Sequence, residues 1–182
     1  NMATEIVLVG GARTPMCEYS GTPGYGKLKD LSAIDLAAHA AKAALARSRV
    51  DPASIDHVVV GNALQTSVDA LYGARHVLLK AGCPETVPGL TVNRICGSGL
   101  QAVVAGCEQI QLGRAMTTLC GGMENMSQVP FVVRGAREGY RLGQNMQALG
   151  RADPCQVTDR EGWPPSYGGG GADLLVGVRS RV

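Results

Sequence analysis

The run Thr91-Val92-Asn93-Arg94-Ile95-Cys96-Gly97-Ser98-Gly99-Leu100-Gln101-Ala102 places a cysteine where an apolar strand pattern gives way to a helical one. A thiol at a helix N-terminus faces unsatisfied backbone N–H groups and the positive end of the macrodipole, and both favour thiolate over thiol. Gly97 and Gly99 carry no side chain, which leaves room for a bulky thioester to approach the sulfur. Leu100, Val103, Val104 and Cys107 follow at helical spacing and predict a face that packs the helix onto a sheet. The chemistry that fits is nucleophilic, with Cys96 as the attacking sulfur. The same local pattern also describes a buried, inert cysteine, because free cysteines pack well as small apolar residues.

The elements that must position this cysteine are legible on either side of it. Apolar, β-branched runs at Ile6–Val9, Val58–Val60, Leu90–Val92 and Met116–Leu119 predict strands. Between them, Leu31–Ala46 has helical spacing, and Ser32 followed by Asp35 offers a start resembling a capping box. A second helix is predicted over about Ala70–Ala81, with Asp69 as its N-cap and Gly82 and Pro84 as its stop. A third runs from about Gly97 to Leu112 and ends at Gly113. The order βαβαβαβ predicts an α/β fold, with a mostly parallel mixed sheet covered by helices. Beyond Gly121-Gly122 the periodicity fades, and Pro154, Pro164-Pro165 and Gly168–Gly171 mark a Gly/Pro-rich tail.

Composition narrows the function classes. Of 182 residues, 45% are hydrophobic and 18% charged, enough for a packed core. The net charge of +2 includes no Lys/Arg stripe, which argues against a nucleic-acid partner. No run approaches the ~18 apolar residues of a membrane span, and the first residues lack a signal-peptide pattern. The six cysteines contain no CxxC pair and no zinc-like spacing, so no metal site is expected. They read as reduced thiols of a cytoplasmic protein. Gly168–Gly171 lacks the Lys-Ser/Thr of a phosphate loop, and Gly10-Gly11-Ala12-Arg13 is no dinucleotide fingerprint.

Four further segments stand in order around Cys96: Ala12-Arg13-Thr14-Pro15, Gly61-Asn62-Ala63-Leu64-Gln65, Cys120-Gly121-Gly122-Met123-Glu124-Asn125-Met126-Ser127 and Gly139-Tyr140-Arg141-Leu142-Gly143. With Val92–Leu100 they resemble the thiolase family over about Thr4 to Asn145, in its N-terminal half. The resemblance implies a thiolase-like fold with an incomplete second half. Residues 1–122 would form the N-terminal α/β domain, and 123–182 the start of a loop domain followed by an aberrant tail, in which Leu174–Val182 resembles a helix.

The implied activity is acyl-CoA C-acyltransferase, the reversible Claisen condensation or thiolytic cleavage of a 3-ketoacyl-CoA through an acyl-Cys96 intermediate, as used in fatty acid metabolism. CoA is then a substrate, and no cofactor is expected. Backbone at Gly97, Ser98 and Gly99 would support the oxyanion, Arg134, Arg137 and Arg141 would face the CoA phosphates, and the chain would form a homodimer or tetramer. An Asn, a Gly-His-Pro histidine and a second, acid/base cysteine would come from the C-terminal half. No Gly-His-Pro occurs here, and His39, His57 and His76 read as packing or surface residues. Two rivals stand beside this reading. One is a non-catalytic, truncated subunit that pairs with a separate C-terminal half; the other is a different cysteine condensing enzyme, such as a ketoacyl synthase, against which Gly121-Gly122-Met123-Glu124 argues.

Overall fold

The computed structural model describes residues 5–15, 26–133, 135–142, 148–150 and 171–180. Strand β1 (Ile6–Arg13) leads to helix α1 (Ala33–Ser48), strand β2 (His57–Gly61), helix α2 (Gly73–Ala81), strand β3 (Gly89–Val92), helix α3 (Ser98–Gln111) and strand β4 (Thr117–Glu124). Two short strands, β5 (Phe131–Val133) and β6 (Ala148–Gly150), pair antiparallel as a separate ribbon, and β7 (Gly171–Ser180) closes the series. The βαβαβαβ order expected from the sequence is present through β4.

Val58, Val59 and Val60 of β2 are all fully buried, which requires cover on both faces of the strand. Their side chains alternate between two cores. Val58 and Val60 pack with α1 and α2 residues such as Ala41, Leu45, Val77 and Leu78, while Val59 packs with Ala102 and Ala105 of α3. Leu119 and Cys120 of β4 divide in the same way. The sheet therefore has α1 and α2 on one face and α3 on the other. The buried face of α3 is not the expected one, since Leu100 and Val104 are exposed and the small Ala102 and Ala105 let the helix lie close to the sheet. Alanines at 37, 41 and 44, each fully buried, let α1 lie close to its neighbours.

The sheet order is β1-β7-β4-β2-β3. β2 runs parallel to both β3 and β4, and β7 runs antiparallel to both β1 and β4. This makes β1, β4, β2 and β3 co-directional, a mostly parallel mixed sheet. β7 corrects the helical expectation for the tail: residues 171–180 are extended. The pairing explains why, since β7 fills the gap between β1 and β4 and satisfies the backbone groups that face it from both. Gly171 and Gly177 disfavour helix, and Val176 and Val178 favour strand. The pairing of Ile6 with Ser180 through Arg13 with Asp173 also crosses the expected division at residue 122. The tail between 151 and 170 lies outside the described residues.

Local signals held at α1 and failed at α2. Ser32 Oγ accepts from Asp35 N–H at 3.0 Å, as the capping pattern predicts, and also donates to Asp35 Oδ2 at 2.7 Å. Asp69 does not cap α2. A 3₁₀ turn at Ala70–Tyr72 precedes the helix, and Ala74 N–H is satisfied by Thr91 Oγ1 of β3 at 3.0 Å. Among the described residues no helix is long and apolar enough to cross a membrane.

Candidate active site

β2, β3 and β4 point their C-terminal ends the same way, and α3 begins at that edge. The usual ligand-binding edge of parallel α/β sheets is this one. Helix α3 can start there only because the sheet carries no side chains in its path. A Cβ on Gly61 would lie 2.4 Å from the Ser98 carbonyl carbon and oxygen, and one on Gly122 would lie 3.0 Å from Gly99 Cα. Gly61 and Gly122 thus seat the first turn of α3 directly on backbone.

Cys96 stands just before that turn and is exposed. The helix proper begins at Ser98 with Gly97 as N-cap, and no side chain bonds into the cap. The cysteine is therefore one residue farther from the helix than the sequence pattern placed it. Ile95, beside it, has φ of 52°, a left-handed conformation that costs an L-residue about 1–2 kcal/mol and suits a β-branched one least.

The strain is held by local bonds. Ile95 N–H donates to Asn93 Oδ1 at 2.9 Å, Ser98 Oγ donates to the Ile95 carbonyl at 2.6 Å, Ser98 N–H donates to the same carbonyl at 3.1 Å, and Gly97 N–H donates to the Arg94 carbonyl at 3.1 Å. At about 0.5–1.5 kcal/mol net for each bond, the set outweighs the cost of one left-handed residue. Ser98 Oγ also accepts from Arg94 N–H at 2.8 Å, so this buried serine is a brace for the turn. Gly97 and Ser98 N–H groups already close the turn, and an oxyanion there would share them with Arg94 and Ile95 carbonyls.

The other described thiols differ in setting. Cys83 and Cys120 are buried, and burial pushes each up to about 11; burial also raises Cys107. Cys120 opens the Cys120-Gly121-Gly122 run of β4. It is fully buried in β4 against α3 and stays a protonated core residue near neutral pH. Cys17 and Cys155 lie outside the described residues.

The histidines fit packing and surface roles. His39 is exposed on α1, and burial lowers the pKa of His57 at the start of β2, the sheet edge opposite Cys96. His76 Nδ1 is 2.8 Å from Asp69 Oδ2, and its ring stacks on Tyr72. Arg137 and Arg141 are exposed on the stretch after β5, and Arg134 is outside the described residues.

Sequence reading missed a carboxylate. Glu124, at the end of β4, accepts from Asn62 Nδ2 at 2.9 Å and Leu64 N–H at 3.0 Å through Oε1, and from Ala63 N–H at 2.9 Å through Oε2. Asn62 Nδ2 also reaches the Met123 carbonyl at 3.1 Å. Asn125 ties the next stretch down, donating to the Leu31 carbonyl at 2.6 Å. The available signal was an acidic residue directly ending an apolar strand.

An exposed sulfur beside a tightly bonded, glycine-seated turn is suited to covalent attack on a carbonyl. The thiolase N-terminal domain model matches residues 6–154. The chain belongs to the thiolase family. Human mitochondrial 3-ketoacyl-CoA thiolase is 47% identical over 142 residues, 78% of this chain and 34% of that protein. The acetyl-CoA acetyltransferase of Escherichia coli (strain K12) is 44% identical over 138 residues, 75% of this chain and 34% of that protein. The crystal structure of the human mitochondrial enzyme in complex with CoA superposes with a TM-score of 0.74 at 46% identity, covering 80% of this chain and 36% of that one. This thiolase-family chain thus spans about a third of the length of the relatives it matches, and the expected α/β thiolase-like fold is present over that span.

Burial raises Glu124 above the ordinary glutamate value of 4.5, against three hydrogen bonds that lower it. The folded state therefore holds this proton to higher pH than the unfolded chain does. Through that window the native state binds more protons, so Glu124 makes stability fall as pH rises. In urea denaturation, the stability of the parent relative to Glu124→Gln is expected to decline as pH rises from about 4.5 upward. A difference that is flat, or that grows with pH, would show that burial does not dominate at this site.

Proposed function

We propose that this chain carries the nucleophile of an acyl-CoA C-acyltransferase acting on acyl-CoA and CoA. The observation that carries the reading is the exposed Cys96 sulfur, held beside left-handed Ile95 at the mouth of a helix that no side chain caps. Its thiolate attacks the thioester carbonyl carbon, the π electrons move to oxygen, and collapse expels CoA as its thiolate. The acyl group then rests on Cys96 Sγ, which splits one difficult carbon–carbon step into two transfers.

In condensation, the carbanion of a second acetyl-CoA attacks that acyl carbon; the C–C bond forms as the C–Sγ bond breaks. In thiolytic cleavage of a 3-ketoacyl-CoA, as fatty acid breakdown requires, the same steps run backward with CoA as the entering thiol. Backbone N–H groups of Gly97, Ser98 and Gly99 support the oxyanion, and Arg137 and Arg141, with Arg134, face the CoA phosphates. The exposure of Arg137 and Arg141 supports that role. CoA is substrate, and no cofactor or metal takes part. The acid/base groups come from sequence equivalent to the part of the relatives that this chain does not cover.

A homo-oligomer is part of the reading. Among the described residues β3 is the outermost strand on its side of the sheet, and Leu90, Ile95 and Leu100 are 42%, 64% and 73% exposed around it. An unpaired strand edge flanked by apolar side chains favours pairing with a second copy. Light scattering is expected to give a dimer or tetramer, and Leu90→Lys to shift it toward monomer; a monomeric parent chain would contradict this. The proposed compartment is the cytoplasm, where glutathione keeps Cys96 a free thiol; recovery of a tagged chain in an organelle fraction would contradict that placement.

Incubation with acetyl-CoA followed by peptide mass spectrometry tests the chemistry. One acetyl group is expected on Cys96 and none on Cys83, Cys107 or Cys120, and Cys96→Ser should abolish the adduct. An adduct that survives in Cys96→Ser, or none in the parent chain, would overturn the assignment.

A further inference from the structure

Glu124 has no place in the acyl-transfer chemistry above, yet it is a half-buried carboxylate with three donors aimed at it. Its partners lie in residues 62–64, the segment that leaves β2. The carbonyl of Ala63, whose N–H Glu124 holds, accepts from Asn93 Nδ2 at 3.1 Å. The other end of that amide, Asn93 Oδ1, accepts from Ile95 N–H at 2.9 Å. Ile95 is the strained residue next to Cys96. A continuous path of hydrogen bonds thus joins the end of β4 to the turn that carries the nucleophile. Asn62 N–H to the Val92 carbonyl, 3.0 Å, pins the same segment to the end of β3.

The choice of residue is informative. Asp56 does a similar backbone-bracing job at the other end of β4, accepting from Met116 and Thr117 N–H at 2.7 and 3.0 Å, but from an exposed position. Glu124 does it under burial that penalises its charge. A carboxylate offers only acceptors and forms the stronger, charge-assisted bonds, which suits three converging N–H groups better than any neutral side chain. The asparagine at 93 is equally specific. It must donate to Ala63 and accept from Ile95 at once, which neither aspartate nor alanine can do.

We propose that Glu124 is a positioning residue for Cys96, acting through residues 62–64 and the Asn93 amide to hold Ile95 in its left-handed conformation. The proposal rests on the nucleophile reading of Cys96, and the test separates the two. Two readouts are taken on the full chain: amide hydrogen exchange at Ile95, and the rate of iodoacetamide alkylation at Cys96 resolved by peptide mass spectrometry.

In Glu124→Ala, Ile95 N–H is expected to exchange about tenfold faster and Cys96 to alkylate about tenfold slower, within the range that misplacement of a reacting group produces. Glu124→Gln, which keeps the oxygen that serves Asn62 and Leu64, should recover part of both. Asn93→Ala should match Glu124→Ala, and the double variant should be no worse than the worse single, as members of one path require. Asp56→Ala, the control, should open the amides of Met116 and Thr117 and leave Ile95 and Cys96 at parental rates. Unchanged Ile95 exchange in Glu124→Ala, additive effects in the double variant, or the same losses in Asp56→Ala would overturn the proposal. Faster Ile95 exchange in Glu124→Ala with a parental Cys96 no more reactive than buried Cys83 or Cys120 would instead sink the nucleophile reading and leave the hydrogen-bond path standing.

Discussion

Close contact between the first turn of α3 and the backbone of two strands sets the geometry of everything near Cys96. Gly61, the last residue of β2, pairs with Gly122 of its co-directional neighbour β4, and Ser98 and Gly99 rest against them with no room for a methyl group at Gly61. A helix that approaches a sheet this closely cannot slide, because both surfaces are backbone. The turn before it must then bridge a short gap from β3, and it does so with one residue in a conformation that isoleucine adopts only under constraint. The sulfur follows from that turn.

The same constraint explains why one thiol stands apart from its neighbours. Cys120 lies in β4 and packs beneath α3, where a Cβ on Gly106 would lie 2.2 Å from its sulfur, and burial keeps it protonated. Cys96 is carried past the end of the sheet into the open. Two cysteines followed by glycine thus differ in exposure through their depth alone. The hydrogen bonds of Asn93, Ser98 and Glu124 then fix what the glycine contacts leave free, the direction of the chain between β3 and α3.

The order of elements through β4 was legible because each apolar run is bounded by glycine, proline or a cap, and α1 announces itself through Ser32 and Asp35. Cys96 was legible because its context is contiguous in sequence. What escaped is what depends on distant partners. The N-terminal turn of α2 is satisfied by Thr91, seventeen positions beyond Ala74, so Asp69 was free to bond His76 instead. β7 is a strand because a slot between β1 and β4 awaits one, a fact absent from residues 171–180 themselves. The Glu124 brace spans about sixty positions to residues 62–64 and was quoted as part of a family resemblance without its physical reason. Of the three arginines read as CoA partners, Arg137 and Arg141 are seen at the surface and Arg134 is outside the described residues.

Membership of the thiolase family and the position of Cys96 meet in a single claim: the seating of α3 on glycine places the proposed nucleophile. The most direct measurement is the rate of acetyl transfer from acetyl-CoA to Cys96 in Gly61→Ala, compared with the parent at matched circular dichroism. A methyl group 2.4 Å from the Ser98 carbonyl must lift the helix start, so transfer should slow by about two orders of magnitude while the sulfur stays exposed. Transfer at the parental rate would show that the close contact does not govern where the sulfur lies.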